Sequence, residues 1–553
     1  MIVDGRQLLS GSRLDAQVCI IGSGPVGCAV ALALAAEGIK VIVVEAGGLL
    51  NNASEQCDFW SDRDRAPPRH PPLHLWRRRM LGGTSSCWGG RCLPLDPEDF
   101  VGKGASWPID YATYASLLPR AASFLQLGTP DFDAQTALRP NPGKVSAPST
   151  IPANSFDVIE RYSAPTDVRK TYWTRVKHQA NPYVVVNAPC VEIRLDETGE
   201  RAQSASLSPT SGARINVHAS SFVIAAGGLE TARLLLASNK DRPCGLGNET
   251  DLVGRFYMTH FVGGLGGMML SEGASPAAFR FQKAMDGVYA RRYFQASGAI
   301  RQREGLGGFV LRPSLGDVSD PSHGSGVLSA LYLGQSAFRN ELAANVVRRS
   351  AQGGGGHRLG ITARHVGNVA KSVIPTMSFA VDWFALRPWR RRKLPGFDHQ
   401  RADGVLPLEF NAEHAPNRSS RVYLSDRRDP LGVPLLSVDW RTCEYDSRTI
   451  RRGFEIVRDA LEASGIGRVV CKKEEIDAAA SEPVPAGGHH MGTARWSSSP
   501  REGVVGPNMQ VWSVRDLYVA GSSLFPRSGV ANPTLSAVAL GYRLADILTR
   551  KHA

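Results

Sequence analysis

The sequence has little that would mark a secreted, metal-binding or membrane-spanning protein. Its nine cysteines are scattered and form no C-x-x-C pair, so neither a disulfide framework nor a zinc site is indicated. No apolar run approaches the ~20 residues that a membrane span needs. The first residues also lack the charged start and apolar core of a signal peptide. We therefore expect no bound metal ion, no transmembrane segment and a cytoplasmic location.

Acidic residues are few relative to basic ones. The 51 Asp and Glu residues face 64 Lys and Arg residues, a net charge of +13, and part of the excess lies in the clusters Arg77–Arg79 and Arg387–Lys393. No basic stretch alternates with aromatic residues as a single-strand nucleic-acid binder would require. We interpret the charge as a solvated basic surface and expect no nucleic-acid partner. The 42% hydrophobic residues are typical of a globular chain with a sizeable core.

A complete β-α-β unit is present near the N-terminus. The apolar run Val18–Ile21 predicts a buried parallel strand, Cys28–Glu37 an Ala- and Leu-rich helix, and Ile39–Val44 a second buried strand. The letters GSGPVG join the first strand to the helix. Strand, glycine turn, helix and strand in about thirty residues are typical of dinucleotide binding.

The glycines of this turn have separate roles in such a unit. Gly22 allows the tight turn, Gly24 lets the backbone approach a pyrophosphate, and Gly27 lets the helix pack closely on the strand. The helix N-terminus then offers unpaired N–H groups to the phosphates. Glu45, 23 residues after Gly22, ends the second strand, where a carboxylate binds ribose hydroxyls and repels a 2′-phosphate. This favours FAD or NAD over NADP.

Two further segments place backbone near such a ligand. The glycine-rich loop Arg77–Phe100, RRRMLGGTSSCWGGRCLPLDPEDF, can lie against a flat or anionic ligand, although a purely structural turn cluster is the alternative. Further on, Ser221–Ser238 predicts a buried strand, a glycine turn that follows Ala226, and a helix. Backbone at that turn can also close over a dinucleotide.

The C-terminal block is the other informative region. Leu517–Ala520 predicts a strand, followed by a glycine loop that opens with Gly521 and a long amphipathic helix that begins near Asn532 and Pro533. Pro533 suits the first helical turn, where its missing N–H costs nothing. The start of this helix can therefore address the flavin ring or its phosphates.

The middle of the chain carries no cofactor signature. We interpret residues Phe261 to Glu482 as the substrate-facing half. Within it, Gly353–Gly356 is a candidate lid hinge, although an inert surface loop is the interpretation we favour for this glycine run.

Taken in order, these motifs resemble those of the glucose-methanol-choline (GMC) family of FAD-dependent alcohol oxidoreductases. The resemblance rests on GSGPVG with Glu45, LGGTSSCWGG, AAGGLETARLLLAS, GNETDLVGRFYMTH, HHMGTAR and ANPT. With the weaker matches WPIDYATYASLLP and SSRVYLS it covers nearly the whole chain. The form GHHMGTAR with a terminal ANPT is most similar to the bacterial branch that acts on sugars and glycosides.

The resemblance implies an α/β fold with a discontinuous, Rossmann-like FAD-binding domain and an α+β substrate-binding domain with an antiparallel sheet. The FAD domain would comprise residues 1–265 and 485–553, and the substrate domain residues 266–484. Arg79 to Gly90 would lie along the flavin, and Val191 would meet the adenine through its backbone. The residues expected to bind FAD are Gly22, Gly24, Gly27, Glu45, Arg79, Gly82, Gly83, Ser86, Cys87, Gly89, Val191, Ala226, Gly521, Asn532, Pro533 and Thr534.

The same match implies a catalytic pair. The family's base is the His that stands three residues before Gly-Thr, here His489, and its His or Asn partner falls at Asn532. An imidazole suits this task because its ordinary pKa of ~6.5 leaves the neutral form available near neutral pH. His489 would take the hydroxyl proton of an alcohol as hydride leaves carbon for flavin N5, and Asn532 would hydrogen-bond the same oxygen. His490 competes for the role of base, and we assign it to packing or substrate contact.

Cys87 departs from one form of the family pattern. Some members have a His at this position that is bonded covalently to the flavin. A cysteinyl link is the alternative to a small side chain packed near the ring, and we expect the packed side chain and non-covalent FAD.

The expected reaction is oxidation of a ring hydroxyl of a sugar or glycoside to a carbonyl. One alternative is the same chemistry on a lipophilic or natural-product alcohol, for which the run Phe379–Phe384 would suit an apolar pocket. Another is a flavin-containing lyase or a non-redox flavoprotein. Oxygen, a quinone or a separate redox protein would accept the electrons. Any cytochrome among these acceptors would be a separate protein, because the chain has no haem-attachment C-x-x-C-H motif.

Overall fold

The computed structural model describes residues 1–51, 70–101, 107–138, 158–164, 166–272, 279–334, 358–390, 392–396 and 404–553. The predicted hinge Gly353–Gly356 lies outside the described residues.

The described strands, in chain order, are β1 (Ile2–Asp4), β2 (Arg13–Ile21), β3 (Val41–Val44), β4 (Arg91–Cys92), β5 (Ile159–Tyr162), β6 (Tyr183–Val186), β7 (Cys190–Leu195), β8 (Ala202–Leu207), β9 (Ile215–Ile224), β10 (His260–Leu270), β11 (Gln282–Lys283), β12 (Tyr289–Arg292), β13 (Phe294–Gln295), β14 (Phe309–Pro313), β15 (Val405–Glu413), β16 (Arg421–Arg428), β17 (Pro434–Asp439), β18 (Gly467–Val470) and β19 (Leu517–Val519).

The described helices are α1 (Pro25–Ala36), α2 (Tyr111–Phe124), α3 (Ala134–Ala137), α4 (Thr174–Val176), α5 (Gly227–Ala237), α6 (Gly298–Glu304), α7 (Gly326–Leu333), α8 (Arg358–Lys371), α9 (Val373–Ala380), α10 (Glu444–Ala463), α11 (Lys473–Ser481) and α12 (Pro533–His552). Shorter helical turns lie at Gly5–Gln7, Gly83–Ser86, Pro97–Phe100, Arg169–Trp173, Pro321–His323, Val381–Leu386, Arg387–Trp389 and Ser522–Leu524.

The largest sheet has eight strands and brings distant parts of the chain together. Its order is β1-β6-β3-β2-β9-β8-β7, and β19 also pairs with β9. Strands β1, β6, β3, β2, β9 and β19 run parallel to one another. The pairs β9–β8 and β8–β7 at the other edge are antiparallel. N-terminal, central and C-terminal strands therefore meet in one sheet, which confirms the predicted Rossmann-like fold.

The predicted β-α-β unit forms with small shifts at its boundaries. The first strand starts earlier than predicted, at Arg13, because it continues beside β9 beyond its buried half. The helix begins at Pro25 rather than Cys28, since proline needs no hydrogen-bond acceptor at the first helical position. The second strand is limited to Val41–Val44.

An antiparallel sheet of five strands, in the order β13-β14-β15-β10-β18, forms the second layer. One face is apolar and packs on α10, with the rings of Phe309 and Phe410 stacked 5.7 Å apart and Phe454 buried among them. Side chains alternate across a strand, so Glu409 and Asn411, the neighbours of Phe410 in β15, point to the opposite face. That opposite face contributes to the functional site.

The proposed division at residues 265/266 and 484/485 stays a prediction. Strand β10 runs across the first boundary, from His260 to Leu270. The small sheet β11-β12-β5-β4 also pairs residues of the 91–162 region with residues of the 282–292 region.

Among the described residues, no single helix is both long and apolar enough to cross a membrane. The pair Gly360–Lys371 and Val373–Leu386 reaches the length and composition together, but the two helices are bent by 89° at their junction.

Candidate active site

A cavity of about 810 Å³ is lined by residues from both sheets. At one end it meets the glycine turn, the end of β3, the loop after Arg77 and the start of α12. At the other end it meets β10 and β15 of the antiparallel sheet. His489 and Asn532 line the same cavity.

The three predicted glycines each satisfy a different steric requirement. Gly22 has φ +107°, and a Cβ there would lie 2.6 Å from the carbonyl oxygen of Ala225. A Cβ on Gly27 would lie 2.0 Å from the carbonyl oxygen of Gly22, so only glycine allows this approach of helix to strand. Gly24 lines the cavity, and no atom lies within 4 Å of the position a Cβ would take. The backbone at Gly24 is therefore open to a ligand.

A buried hydrogen-bond cluster holds this end of the cavity in shape. The carboxylate of Glu45 accepts hydrogen bonds from the Ser23 N–H at 3.1 Å, from the Ser23 hydroxyl at 2.6 Å and from the Gly47 N–H at 2.9 Å. Ser23 Oγ accepts from the Gly82 N–H at 3.0 Å, and the Ser23 carbonyl accepts from Trp173 Nε1 at 2.9 Å. Burial raises the pKa of Glu45, and these hydrogen bonds oppose that rise.

The loop after Arg77 folds back over the glycine turn. Gly82 and Gly83 both have positive φ, and a Cβ on Gly83 would lie 3.2 Å from the Gly24 Cα. Cys87 lines the cavity, and its thiol donates to the Thr84 carbonyl at 3.5 Å. Burial raises the pKa of Cys87, which favours the thiol over the nucleophilic thiolate.

Most of the residues expected to hold FAD line the cavity. They are Gly22, Gly24, Glu45, Arg79, Gly83, Cys87, Gly89, Ala226, Gly521, Asn532, Pro533 and Thr534. The residues not on its surface are Gly27, Gly82, Ser86 and Val191. Gly27 and Gly82 shape the turn from behind, as their contacts show, and Pro189 and Cys190 line the cavity beside Val191.

This end of the cavity fits a dinucleotide. The open backbone at Gly24 precedes the N-terminus of α1, and a second helix N-terminus begins at Pro533. Both present unpaired N–H groups, which suit phosphates or an electron-rich ring edge. Glu45 Oε1, which accepts from the Gly47 N–H, keeps a second accepting position for a ribose hydroxyl.

His489 lies between two hydrogen-bonding partners. Its Nε2 is 3.2 Å from Asn532 Nδ2, and its Nδ1 is 2.8 Å from His260 Nδ1. Burial lowers the pKa of His489 well below its usual range, and His260, Arg91 and Arg312 lower it further. The imidazole is therefore neutral at physiological pH.

The hydrogen-bond network determines which nitrogen of His489 carries the proton. His260 Nε2 lies 3.2 Å from the carbonyl oxygen of Ser528, and because a carbonyl only accepts, His260 Nε2 is the donor. Burial lowers the pKa of His260 to about 4, so its Nδ1 has no proton and accepts from His489 Nδ1–H. His489 Nε2 is then the unprotonated nitrogen, and its lone pair accepts a hydrogen bond from Asn532 Nδ2.

His490 faces a different set of partners. Its Nδ1 is 2.8 Å from the Tyr257 hydroxyl, which lies 2.9 Å from His70 Nε2. The His490 ring also stacks on Tyr257 and lines the cavity. It therefore does not share the partners of His489, and its substrate contact stays a prediction.

The antiparallel sheet turns polar side chains towards this site. Directly paired residues share a face, and β10, β14 and β15 pair His260 with Glu413, Val310 with Asn411 and Arg312 with Glu409. Of these, Glu409 and Asn411 line the cavity.

Charged residues from the neighbouring small sheet join this face. Arg91 lines the cavity and pairs with Glu409 at 3.2 Å and with the buried Glu160 at 3.4 Å. Glu160 also pairs with Arg291 at 2.6 Å and Arg312 at 3.3 Å. Burial raises the pKa of Glu160, but the three guanidinium groups lower it more, so the carboxylate stays ionised. We call Arg91, Glu409, Asn411 and Arg291 the polar wall.

The sequence analysis did not single out His260 or the polar wall. His260 ends the motif GNETDLVGRFYMTH, but its partner His489 lies 229 residues further on, so no local pattern connects them. A signal for the wall was present in LEFNAE, Leu408–Glu413, where polar residues alternate with apolar ones as in a strand with one polar face. Among the described residues, no cluster of three or more His, Cys, Asp or Glu side chains could hold a metal ion.

Comparisons with known proteins agree with this geometry. Residues 416–541 match the family model described as GMC oxidoreductase, and residues 15–52 match one described as FAD binding domain. The chain is 23% identical to the 2-methyl-1,2-propanediol dehydrogenase of Mycolicibacterium austroafricanum, over 98% of this chain and 97% of that one. It is 33% identical to the C-glycoside 3-oxidase of Arthrobacter globiformis, over 21% of each chain. The fold is similar to that of an FAD-dependent oxidoreductase from Chaetomium thermophilum, with TM-score 0.55, 17% identity and coverage of 97% of this chain and 99% of that one.

The fold and the site together define an FAD-dependent oxidoreductase that acts on alcohols. The part of the chain that the first model matches, residues 416–541, is a GMC oxidoreductase domain.

The raised pKa of Cys87 predicts that FAD is released when the protein is denatured. Acid precipitation of the purified holoenzyme should leave the yellow colour in the supernatant, because a protonated thiol forms no bond to the flavin ring. The Cys87→Ser variant serves as the control and should release FAD to the same extent. Colour that stays in the wild-type pellet and leaves the Cys87→Ser pellet would contradict this prediction.

Proposed function

We propose that this enzyme oxidises a ring hydroxyl of a sugar or glycoside to a carbonyl, with His489 as the base. The observation that carries the proposal is the polar wall, which lines the same cavity as His489 and Asn532. The names of the two reported relatives, a diol dehydrogenase and a C-glycoside oxidase, support a substrate with more than one oxygen substituent.

A polyhydroxylated substrate satisfies the polar wall better than a lipophilic one. The guanidinium of Arg91 donates only, and the carboxylate of Glu409 accepts only, so adjacent hydroxyls can bond to both. An apolar substrate would remove water from these groups without replacing its hydrogen bonds, at a cost of about 1–3 kcal/mol for each unsatisfied group. The run Phe379–Phe384, which would have favoured a lipophilic alcohol, is not part of the cavity lining.

The proposed mechanism uses the lone pair on His489 Nε2. A hydroxyl that enters between His489 and Asn532 donates its proton to Nε2 and accepts from Asn532 Nδ2. This contact fixes the oxygen and removes the proton as the carbonyl forms. FAD, when bound, supplies the acceptor for the hydride. The proton on Nδ1 stays on the imidazole and is held by His260, so the imidazolium that forms keeps its orientation.

The substrate class is tested by anaerobic reduction of the flavin. Mixing the holoenzyme with glycosides should bleach the visible flavin bands, and mixing it with lipophilic alcohols should not, because only the former satisfy the polar wall. Bleaching by lipophilic alcohols alone would move the assignment to that class. A flavin that no alcohol reduces would favour a lyase or a non-redox flavoprotein.

Removal of the base should slow flavin reduction strongly while the cofactor stays bound. We expect His489→Ala to lower the rate of flavin reduction by about 10²–10⁴-fold, the usual contribution of a general base, with FAD content unchanged. His490→Ala is the matched neighbour and should lower the rate much less, since its Nδ1 contacts Tyr257, which in turn contacts His70. Equal rates in wild type and His489→Ala would show that another group is the base.

The role of His260 is tested with an isosteric pair of variants. His260→Leu removes the acceptor for His489 Nδ1–H and should slow flavin reduction by about 10–100-fold, as loss of an orienting partner often does. His260→Asn places an amide oxygen near the former Nδ1 and should restore most of the rate. In wild type, the acid limb of kcat/KM should lie below pH 6.5, because the lowered pKa of His489 keeps it neutral there. Equal losses in both variants, with FAD retained, would mean that His260 has a packing role only.

A further inference from the structure

Five charged side chains join the small sheet to the antiparallel sheet beside the cavity. They are three arginines and two glutamates, which we call the charge cluster: Arg91, Arg291, Arg312, Glu160 and Glu409. Burial raises the pKa of both carboxylates, but the guanidinium groups lower it more, so both stay ionised. An arginine also keeps its proton inside a protein. The charge cluster therefore has one more positive than negative charge.

The excess positive charge is withdrawn from water. Arg312 is fully buried, and its ion pair among the described residues is with Glu160 at 3.3 Å. Its Nε, Nη1 and Nη2 have no hydrogen-bond partner in the part of the chain that the structure describes. A buried charge that is incompletely paired is costly. A further anion beside the charge cluster would reduce that cost.

Such an anion can approach from the cavity. The next carboxylate of β15, Glu413, is already paired with another guanidinium, that of Arg527. Arg91, Arg291 and Glu409 line the cavity, and 26% of the Arg91 side chain is exposed. The charge cluster is therefore open on its cavity side to a ligand.

Arg91 is the member of the charge cluster best able to contact this ligand. Its Nε is 3.4 Å from Glu160 Oε2, and its Nη2 is 3.2 Å from Glu409 Oε1. Both distances exceed the about 2.7–2.9 Å of a tight charge-assisted hydrogen bond. In Arg291, by contrast, Nε donates to Glu160 at 2.8 Å and Nη1 to the Pro313 carbonyl at 2.7 Å. Arg91 is held loosely between two carboxylates, so its planar fork can also receive a third.

We propose that the substrate is an acidic sugar, a glycoside that has a carboxylate on its ring, and that Arg91 binds this carboxylate. One carboxylate matches the single excess charge, whereas a phosphate monoester would bring about two negative charges. The ring hydroxyls remain available to His489 and to the other residues of the polar wall. This inference rests on the proposed oxidation of a ring hydroxyl and narrows its substrate class.

The substrate carboxylate would also act on the base. Burial lowers the pKa of His489, and His260, Arg91 and Arg312 lower it further. A carboxylate at Arg91 would offset part of this positive field, so the imidazolium that forms during oxidation would be less disfavoured. An acidic sugar should therefore react faster than its neutral counterpart as well as bind more tightly.

Binding of a matched pair of glycosides tests the proposal. Methyl β-D-glucuronide has a carboxylate where methyl β-D-glucoside has a hydroxymethyl group. The His489→Ala holoenzyme, in which flavin reduction is slow, allows the Kd of each glycoside to be measured by calorimetry without turnover. We expect the glucuronide to bind at least about tenfold more tightly, because only its carboxylate forms a charge-assisted contact.

Two substitutions at one ion pair should change this preference in opposite directions. In the same background, Arg91→Gln should bring the ratio of the two Kd values to about one, and Arg91→Lys should retain part of the preference. Glu409→Gln removes the competing carboxylate and should strengthen the preference. A loss of packing alone would not produce opposite changes. The matched controls, Arg120→Gln and Asp546→Asn, alter a surface pair at 2.7 Å and should leave the ratio unchanged.

The proposal is overturned if the two glycosides bind equally well. A ratio that neither Arg91→Gln nor Glu409→Gln changes, or that both lower, with FAD retained, would also overturn it. Flavin reduction in the wild-type holoenzyme separates this result from the proposed function. Reduction by both glycosides without preference would retain sugar oxidation and remove the carboxylate site. Preferential binding of the glucuronide, with the expected response in the variants but no flavin reduction by either glycoside, would support the carboxylate site and contradict the proposed oxidation.

Discussion

The hydrogen bonds between Ser23 and Glu45 join parts of the chain that lie far apart in sequence. Through its N–H, hydroxyl and carbonyl, Ser23 contacts Glu45, Gly82 and Trp173. The turn after the first buried strand, the end of the next strand, the glycine-rich loop and a helical turn are thereby fixed to one another. In a buried site each of these bonds is costly to lose, because water cannot replace the partner. The shape of the cofactor end of the cavity depends on this cluster.

The end of the cavity near His489 depends on another feature, the alternation of side chains in the antiparallel sheet. Phe309, Phe410 and Phe454 fill one side of this sheet with apolar rings. Glu409 and Asn411 point to the other side, where Arg91 reaches them from a neighbouring sheet. The same strands therefore build a dry core and a polar cavity wall. The charges in that wall also help to keep His489 neutral.

Much of the cofactor region could be predicted from the sequence because its signals are local. Strand, glycine turn, helix and acid follow one another within about thirty residues, and the fold and FAD as cofactor are confirmed. The role of Ser23 could not be predicted, since its partners Glu45, Gly82 and Trp173 come from three separate segments. His260 could not be predicted for the same reason, because its hydrogen bond to His489 joins residues 229 positions apart in the sequence. The aromatic run Phe379–Phe384, which would have suited an apolar pocket, is not among the residues that line the cavity, and its composition alone does not distinguish a cavity wall from a helix packed elsewhere.

The assembly of His489 from non-local contacts has a consequence for biogenesis. The proton arrangement on this imidazole needs His260, 229 residues earlier, and Asn532, 43 residues later. Contacts with such long separations in sequence form late in folding, because the loop-closure entropy must be overcome first. A partly folded chain can therefore have a finished N-terminal β-α-β unit while the imidazole of His489 is not yet oriented. The contacts of His489 are therefore completed only after segments on both sides of it in the sequence have folded together.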